Sequence, residues 1–586
     1  MSLNHAPFAL ASAFDRYLGD PSMPDNAFSY ARCAQLDAHE RFPDAVCAML
    51  SQWGLHRYYV PERFGGMLRD FEQPLQLIRM LARRDLTVAI GHGKTFLGAV
   101  CVWVGATHEQ ASRFARRIGD GAIVSWGLTE REHGSDLLRS DTYAEADGDE
   151  YRIAGEKWLI NNATRGDMIS LLARTRREGG PRGFDMLLVD KHALSQGRFR
   201  PLPKERTHGI RGADISGIAF DDARIPASAR IGARGAGLET VLKGLQLTRT
   251  LCASLSLGAG DHALRLALGF ACERRLYGRT LIDLPNARRT LIDAYTDQLL
   301  AEAAALVGAR SIQALPDEMS VTSAVVKYLV PTRAEAMLDT LAELLGARAF
   351  LADTYAHGMF QKVQRDNRIV SLFDGNTLVN LNAIVNAFQM LAKRYRGRDG
   401  ADAGQALAAF DLGMPLPAFD RGALSLVSRH GCRVVGALPA LADGIAQRAA
   451  CEPALSRLVA PVRRLAALAD DVHRRMLACP PVRVHVPVEQ FELAKRYALC
   501  HAAASALGLW WHTRHRVGEA SAAPPWRDGL WLRAVLRRVR VALGDAADFD
   551  DEAGDALWRA LLRQHRDGLL FSLLPCELAE HRGEAA

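Results

Sequence analysis

The feature that most constrains the fold is a change in the spacing of apolar residues along the chain. From about Phe8 to Gly121 apolar residues recur at helical spacing, as in AVCAMLSQWGL and PLQLIRMLARR. From Gly121 to about Gly237 they form short, mostly alternating runs between turns, and helical spacing returns from Leu238 to about Tyr395. This order predicts two helical parts that pack together, with a β-domain between them in the sequence.

The middle segment is typical of a compact β-domain of roughly 100 residues. Its strands are predicted in DTYAEADGDEYRIAGEKWLI, MISLLART, FDMLLVD and ISGIAFDDARIP, and Asp147 to Asp149 are predicted to turn a hairpin. We therefore predict a mostly α-helical protein with a central β-barrel.

A second helical unit is predicted after the small, polar stretch RGRDGADAG, which is typical of a boundary. Amphipathic stretches with a period near 3.6 predict a bundle of roughly four or five helices, interrupted by a loop around EASAAPPWRDG. These stretches are SRLVAPVRRLAALADDVHRRMLA, VEQFELAKRYALCHAAASALGLWW and GLWLRAVLRRVRVALG. The predicted domains are residues 1–120, 121–237, 238–395 and 407–586.

Composition excludes several classes of protein. The formal net charge of +7 over 586 residues is small, and basic residues are mixed with acidic ones, so we expect no nucleic acid partner. Ten cysteines without a C-x-x-C pair indicate a reducing cytoplasm. The first residues have no targeting pattern, and no uninterrupted apolar run approaches the ~20 residues of a membrane span.

Common nucleotide, hydrolase and metal motifs do not account for the chain. Gly258 and Gly260 lie in a helical pattern without a preceding strand, which argues against a Rossmann phosphate loop. The sequence has no G-x-x-x-x-G-K-[ST] and no G-x-S-x-G. Its histidines, among them His56 and His92, show no metal-ligand spacing, so we predict no metal site.

Five blocks occur in a recognisable order. They are YVPERFGG at Tyr59, WGLTEREHGSD at Trp126, GEKWLINNATRGD at Gly155, KERTHGIRGADISGIAFDDARIP at Lys204 and RDNRIVSLFDGNT at Arg365. Over about residues 40 to 395 the chain thereby resembles the acyl-CoA dehydrogenase family. The resemblance implies bound FAD, an acyl thioester substrate on CoA or a carrier protein, and a role in fatty acid or lipid metabolism.

The resemblance assigns the flavin contacts to two of these blocks. It implies that Trp126, Leu128, Thr129, Trp158, Ile160 and Asn161 bind FAD. Ser135 is placed near the pantetheine and phosphate of the thioester. The family usually has an aromatic residue where Leu159 stands and Thr or Ser, bonding flavin N5, where Asn161 stands; the asparagine amide can still donate.

A third set of contacts is implied across a subunit interface. Arg274 and Tyr277, in ERRLYGR, match the family's R-x-x-F-G element, whose arginine reaches the FAD pyrophosphate or adenosine, so the resemblance implies a homodimer. Pro285 or Asn286 occupies the region of a usual glutamine. Longer relatives with a C-terminal helical extension also tend to be dimers.

Asp374 is the implied catalytic base. Where the family most often has Y-E-G-T, this chain has Phe373, Asp374, Gly375 and Asn376. The carboxylate would abstract the α proton while the β hydrogen leaves as hydride, and aspartate reaches one methylene less far than glutamate. Thr248 stands where some relatives carry the base instead, and threonine cannot serve. Arg249, Phe373 and Gly375 are assigned to the substrate, and Asn376 to FAD.

Three functions remain open at this point. The first is a dehydrogenase that passes electrons to an electron-transfer flavoprotein or another acceptor. The second is an oxidase of the same fold that uses O₂, which peroxide release under air would reveal. The third is a flavin-binding, DNA-associated or non-catalytic homologue, which salt-sensitive retention on DNA without flavin bleaching would favour.

Overall fold

The computed structural model describes residues 5–178, 180–397, 402–481, 485–518 and 523–580. The chain divides into two compact units. The helical unit comprises residues 1–34, 70–84 and 249–586, and the sheet unit comprises residues 35–69 and 85–248. The predicted boundary RGRDGADAG and the loop EASAAPPWRDG lie partly outside the described residues. The four predicted domain ranges stay predictions.

The N-terminal fifth of the chain is helical, as its apolar spacing predicts. Its helices are α1 (Ala6–Leu18), α2 (Tyr30–Ala38), α3 (Asp44–Trp53), α4 (Glu72–Arg84), α5 (Leu86–Gly105) and α6 (His108–Gly119). Side-chain caps fix where the last two begin, because Asp85 accepts from the Thr87 N–H at 2.7 Å and Thr107 accepts from the Gln110 N–H at 3.2 Å. By length and composition α5 could cross a membrane, but 78% of its apolar window is buried inside the protein.

The sheet unit contains eight strands within the described residues. They are β1 (Val124–Gly127), β2 (Tyr143–Asp147), β3 (Glu150–Asn161), β4 (Met168–Arg174), β5 (Phe184–Asp190), β6 (Phe199–Leu202), β7 (Ile215–Pro226) and β8 (Arg230–Ile231). The predicted hairpin is confirmed, because β2 and β3 pair antiparallel and Asp147 lies opposite Glu150. All four predicted strand segments are confirmed.

The prediction of a closed β-barrel is wrong for the described residues. The strand order is β6-β7-β3-β2-β4-β5-β8, with β1 parallel to β4, so β6 and β8 remain unpaired edges. β8 has two residues, and β6 contains Pro201, which has no N–H to donate to a further strand. Alternation in a sequence indicates strands, but closure depends on the tilt and register of the edge strands.

The rest of the helical unit follows the sheet. Helix α7 (Gly237–Leu251) belongs to the sheet unit up to residue 248 and to the helical unit from residue 249. Up to residue 396 the further elements of the helical unit are α8 (Ala253–Glu273), β9 (Arg275–Leu276), β10 (Arg279–Thr280), α9 (Pro285–Ala314), α10 (Met319–Leu345), α11 (Ala347–Phe350), α12 (Met359–Asn367) and α13 (Thr377–Arg396). The C-terminal helices are α14 (Asp402–Gln405), α15 (Leu407–Phe410), α16 (Arg433–Gly436), α17 (Leu438–Arg448), α18 (Ser456–Ala478), α19 (Val488–Thr513), α20 (Leu530–Ala542) and α21 (Asp551–Arg566).

Gly258 serves helix packing, which confirms that it is not part of a phosphate loop. It lies inside α8, and a Cβ at this position would stand 2.6 Å from the Arg79 carbonyl oxygen of α4. Only glycine allows two helix backbones to approach this closely. The early helix α4 therefore packs against α8, as predicted for the two helical parts.

A buried arginine cluster ties α4 to distant segments of the helical unit. Arg79 pairs with Glu302 at 2.8 Å, Arg83 pairs with Asp261 at 2.9 Å and with Glu580, and Arg84 pairs with Asp15 at 2.8 Å. The C-terminal segment 569–580 supplies further partners, since the Phe571 N–H donates to Asp261 at 2.8 Å and the Ala579 N–H to Asp15 at 2.8 Å. Buried charges are tolerated because each carboxylate meets several donors.

Candidate functional site

The end of β1 and the middle of β3 bring several predicted flavin residues together. The Trp158 N–H donates to the Thr129 carbonyl at 2.9 Å. The Lys157 ammonium donates to the Leu128 carbonyl at 3.1 Å. Trp126, Leu128, Thr129 and Trp158 are all partly exposed. The chain therefore presents the end of β1 beside β3, as a strand-edge flavin site requires.

Glu130 and Lys157 form an internal brace behind this surface. The Lys157 ammonium lies 2.7 Å from Glu130 Oε1, and the Thr142 hydroxyl donates to the same oxygen at 2.7 Å. Burial alone would raise the pKa of Glu130, yet Lys157 and the donors Ser140 and Asp141 N–H lower it to about 2. Burial lowers the pKa of Lys157 to about 8, so both groups are charged at pH 7. The brace fixes the loop between residues 129 and 142.

A β-bulge lies within the predicted flavin block. Pairing with β7 skips one residue between Trp158 and Ile160, so Leu159 is the bulged residue, with φ 55° and 40% exposure. Bulges re-aim side chains and are common beside active sites. The side chain of Asn161 makes no hydrogen bond to another described residue. Leu159 and Asn161 are thus available to a ligand.

Trp158 and Ile160 are held by the protein itself. The Trp158 indole donates to Glu205 at 2.6 Å, and the Arg131 guanidinium lies 4.5 Å from the centre of its ring. Ile160 is 3% exposed and belongs to the apolar core of the sheet. Any ligand contact of Ile160 must therefore come from its backbone.

The Asp374 loop, residues 370–376, connects α12 and its following turn to α13. Asp374 and Gly375 both have left-handed backbone, with φ 54° and 87°. Aspartate tolerates this region better than most residues, and a Cβ on Gly375 would stand 2.8 Å from Arg249 Nη2. Asn376 caps α13 by accepting from the Val379 N–H at 2.9 Å, so its side-chain oxygen is occupied.

Side chains of α7, α10 and α13 hold the carbonyl groups of the Asp374 loop. Arg249 Nε donates to the Asp374 carbonyl at 2.8 Å. The buried Lys327 ammonium donates to the Val370 carbonyl at 2.6 Å and to the Gly375 carbonyl at 3.3 Å. Asn380 Nδ2 also donates to the Gly375 carbonyl at 2.7 Å. Burial lowers the pKa of the Arg249 guanidinium, against the attraction of Asp374.

The Asp374 carboxylate itself is only partly buried. The Cys252 thiol lies 3.5 Å from Asp374 Oδ2, and among the described residues no cationic side chain lies within 4 Å of this carboxylate. The N–H groups of Asp374 and Gly375 donate no hydrogen bond within the described part of the chain. The loop thus offers an ionisable base beside free backbone donors.

The remaining predicted residues lie on exposed surfaces. Ser135 is exposed in the loop after β1. Arg274 is exposed after α8, and Tyr277 is 94% exposed at the tip of the β9–β10 hairpin with φ 53°. Phe373 is partly exposed, with the Lys327 ammonium 5.3 Å from its ring centre. Within this one chain, Arg274 and Tyr277 meet no other predicted site residue by hydrogen bond or ring contact.

Sequence reasoning missed Glu130, Lys157, Cys252 and Lys327. Lys327 is a lysine inside the apolar run SAVVKYLV, and Lys157 is the inward-facing cation of a strand, so both positions carried a sequence indication of burial. Cys252 carried none, because its importance comes only from a contact with a residue more than one hundred positions away.

Models of one family match three successive parts of the chain. Residues 28–122 match the acyl-CoA dehydrogenase N-terminal domain, residues 125–223 the middle domain and residues 235–388 the C-terminal domain. Together they cover more than half of the chain and include the sheet, the flavin block and the Asp374 loop.

Individual proteins show the same similarity. A probable acyl-CoA dehydrogenase, fadE25, of Mycobacterium leprae is 27% identical over 351 residues, 59% of this chain and 87% of the relative. The structure of butyryl-CoA dehydrogenase from Megasphaera elsdenii has a TM-score of 0.59 at 21% identity and covers 65% of this chain and 98% of its own. The prolyl acyl carrier protein oxidase AnaB has a TM-score of 0.58 at 18% identity, covering 65% and 97%.

Proposed function

Because the chain belongs to the acyl-CoA dehydrogenase family and is an FAD-dependent oxidoreductase, we propose that it dehydrogenates an acyl thioester to the trans-2-enoyl thioester. The observation that carries this proposal is the Asp374 loop. It has a partly exposed carboxylate with no ion pair within 4 Å among the described residues, and backbone donors that remain unused.

The residues present in the sheet unit fit a flavin. The Asn161 amide is unoccupied by other described residues, and the bulge turns Leu159 outward next to it. We propose that Asn161 donates to the ring and that Leu159 excludes water from it. When bound, FAD supplies the acceptor for the hydride that leaves the β carbon.

Asp374 is the proposed base for the α proton. An α C–H beside a thioester is a weak acid, so a carboxylate within hydrogen-bond reach is needed to remove it. The Asp374 and Gly375 carbonyls are held by Arg249, Lys327 and Asn380. This support fixes the direction of the short aspartate side chain, which has less freedom to adjust than a glutamate.

The unused backbone N–H of Asp374 is the proposed donor to the thioester oxygen. Removal of the α proton builds negative charge on that oxygen, and a donor fixed in advance lowers the barrier because it need not reorganise. The left-handed backbone at Asp374 and Gly375 leaves both N–H groups free of internal partners in the described chain. One short loop would therefore supply both base and oxyanion donor.

Three further assignments belong to this proposal. We propose an electron-transfer flavoprotein as electron acceptor and the cytoplasm as location. We also propose a homodimer, on the resemblance that places Arg274 at the FAD of a partner subunit; in the single chain Tyr277 is 94% exposed and Phe350 91%. Arg274 would then contact the FAD of the partner.

Anaerobic titration of the purified flavoprotein tests the proposal. We expect flavin absorbance to bleach with at least one member of a panel of acyl-CoAs and acyl carriers, and an enoyl product to appear. Admission of air after bleaching separates a dehydrogenase from an oxidase through the rate of peroxide release. Full flavin occupancy without bleaching by any thioester would refute the proposed reaction.

A further inference from the structure

Six arginines meet around the β4–β5 end of the sheet unit, and the proposed reaction does not use them. Three separate stretches supply them: residues 136–139, the described residues of 174–182, and residues 233–235. Arg174 ends β4, and the hairpin that follows leads into β5. We call them the arginine patch: Arg139, Arg174, Arg176, Arg177, Arg182 and Arg234.

Backbone contacts hold these three stretches together. Arg174 Nη2 donates to the Leu138 carbonyl at 2.8 Å, which ties residues 136–139 to β4. The Thr175 N–H donates to the Gly183 carbonyl at 2.9 Å and closes the hairpin. A Cβ on Gly235 would stand 2.7 Å from the Arg182 carbonyl, so residues 233–235 lie directly against the hairpin. The six arginines therefore belong to one surface.

The patch concentrates positive charge. The three stretches contain six arginines and two acidic residues, a net charge of +4 in a chain whose formal net charge is +7. All but Arg174 are exposed. Arg139 has Asp136 at 3.9 Å, whereas none of the other five has a carboxylate within 4 Å in the described part of the chain. Like charges held together repel each other, so this surface favours an anionic partner.

We propose that the arginine patch is the docking surface for an acidic carrier protein that presents the acyl group on a phosphopantetheine arm. This inference rests on the proposed function and names its substrate class. Its six charges come from three stretches and five of the six arginines are exposed, which is more positive charge than one phosphate group needs. Arginine forks suit the carboxylates of an acidic helix.

Ser135 immediately precedes the stretch 136–139 and is exposed, so a carrier docked on the patch would hold the start of its arm beside an exposed hydroxyl group. Charge complementarity of this kind accelerates association and makes it dependent on salt.

Charge reversal in the full-length, FAD-loaded protein tests the proposal. The variants are Arg182→Glu, Arg234→Glu and the double variant, because neither side chain bonds another described residue. The matched control is Arg200→Glu, an exposed arginine on the edge strand β6. The probes are an acidic acyl carrier protein with its phosphopantetheine arm attached, and free CoA. The dissociation constant of each probe is measured at low and moderate salt.

We expect each patch variant to weaken carrier binding about fivefold or more, and the double variant further, with a smaller salt dependence. Binding of CoA and the control's binding of carrier should change less than about twofold. The proposal is overturned if the unaltered protein does not bind the carrier, or if Arg200→Glu weakens carrier binding equally. Equal weakening of CoA and carrier binding by Arg182→Glu also overturns it, because the patch would then serve the nucleotide.

The two proposals fail separately. Flavin bleaching by an acyl-CoA in the double patch variant reports the dehydrogenation alone, since bleaching needs no docked protein. Retained bleaching with unchanged carrier affinity rejects only the docking surface. Absence of bleaching in the unaltered protein with every thioester rejects the reaction instead.

Discussion

The buried arginine cluster and the Asp374 loop lie in the same helical unit but use their cations in opposite ways. In the cluster, guanidinium groups face carboxylates, as Arg79 faces Glu302 and Arg83 faces Asp261. In the loop, Arg249 and Lys327 face backbone carbonyls, and the nearby carboxylate of Asp374 has a thiol neighbour instead. The cluster satisfies its charges, whereas the loop keeps one carboxylate uncommitted.

If Asp374 is the base, as proposed, this difference allows one unit to be stable and reactive at once. A carboxylate locked to arginine is a weak base, because its lone pairs already accept strong hydrogen bonds. Cations placed on carbonyls fix the backbone without a direct ion pair to the carboxylate, although Asp374 still attracts the Arg249 guanidinium. The loop thereby gains rigidity and Asp374 remains available to take a proton.

Asp374→Asn should remove the function of the loop without altering its support. We expect flavin reduction by the best acyl thioester to slow by a factor of about 10² to 10⁴, because asparagine cannot accept the proton. FAD content and melting temperature should stay unchanged. Stopped-flow absorbance measures the reduction rate, and Asp353→Asn, at an exposed aspartate of the same unit, is the control. Unchanged reduction in Asp374→Asn would mean that another residue is the base.

Arg83→Met should break the buried arginine cluster. It leaves Asp261 and Glu580 without their main partner, so we expect a loss of about 3–5 kcal/mol of unfolding free energy. Denaturant unfolding measures the loss. The control Arg457→Met removes an exposed ion pair with Glu552 and should cost less than about 1 kcal/mol. Equal losses in both variants would contradict the assignment of stability to the cluster.

Glu130→Gln tests whether a buried ion pair, Glu130 with Lys157, stabilises the sheet unit as the arginine pairs of the cluster stabilise the helical unit. We expect a loss of about 2 kcal/mol near pH 7, because the buried Lys157 ammonium loses the carboxylate that compensates its burial. The folded pKa of Glu130, about 2, lies below its unfolded value, so its stabilisation is present above about pH 4.3 and is lost as pH falls toward 2.

The measurement is the difference in melting temperature between Glu130→Gln and the unaltered protein from pH 7 to pH 3. The difference should narrow below about pH 4.3. A gap that stays constant over this range would show that Glu130 contributes by packing and not by charge.

Lys327→Met should loosen the Asp374 loop while leaving its carboxylate in place. Loss of the donors to the Val370 and Gly375 carbonyls should lower kcat about tenfold, with little change in KM and FAD content. Steady-state kinetics with the best thioester measure both constants. Lys393→Met, at an exposed lysine of α13, is the matched control. If kcat matches that of the control, the carbonyl contacts do not position the base.

The secondary-structure elements could be predicted well from the sequence, but whether the sheet closes into a barrel could not. The strands β4, β5 and β7 and the hairpin at Asp147 follow from alternation and turn residues, which are local properties. The barrel was a wrong prediction because β6 and β8 are edges, and nothing in a short alternating run reveals whether it pairs on both sides. The bulge at Leu159 was equally hidden, since it arises from the register with β7.

Residues of the candidate site could be predicted where they lie within a single sequence motif. Asp374 and Asn161 follow from residue blocks, and their roles stay predictions. Their neighbours could not be predicted, because Cys252 meets Asp374 across 122 positions and Glu130 meets Lys157 across 27. The arginine patch was missed for the same reason: its charges come from three stretches that folding brings together.

The ion pairs of α4 also set an order for biosynthesis. Arg83 pairs with Glu580, which lies 497 positions later in the chain, and the Ala579 N–H donates to Asp15, which lies 564 positions earlier. A ribosome must therefore translate nearly the whole chain before the first helices obtain their last partners, and until then their arginines stay hydrated or paired elsewhere. The sheet unit is built from residues 35–69 and 85–248, so all of its own chain is synthesised long before residue 579.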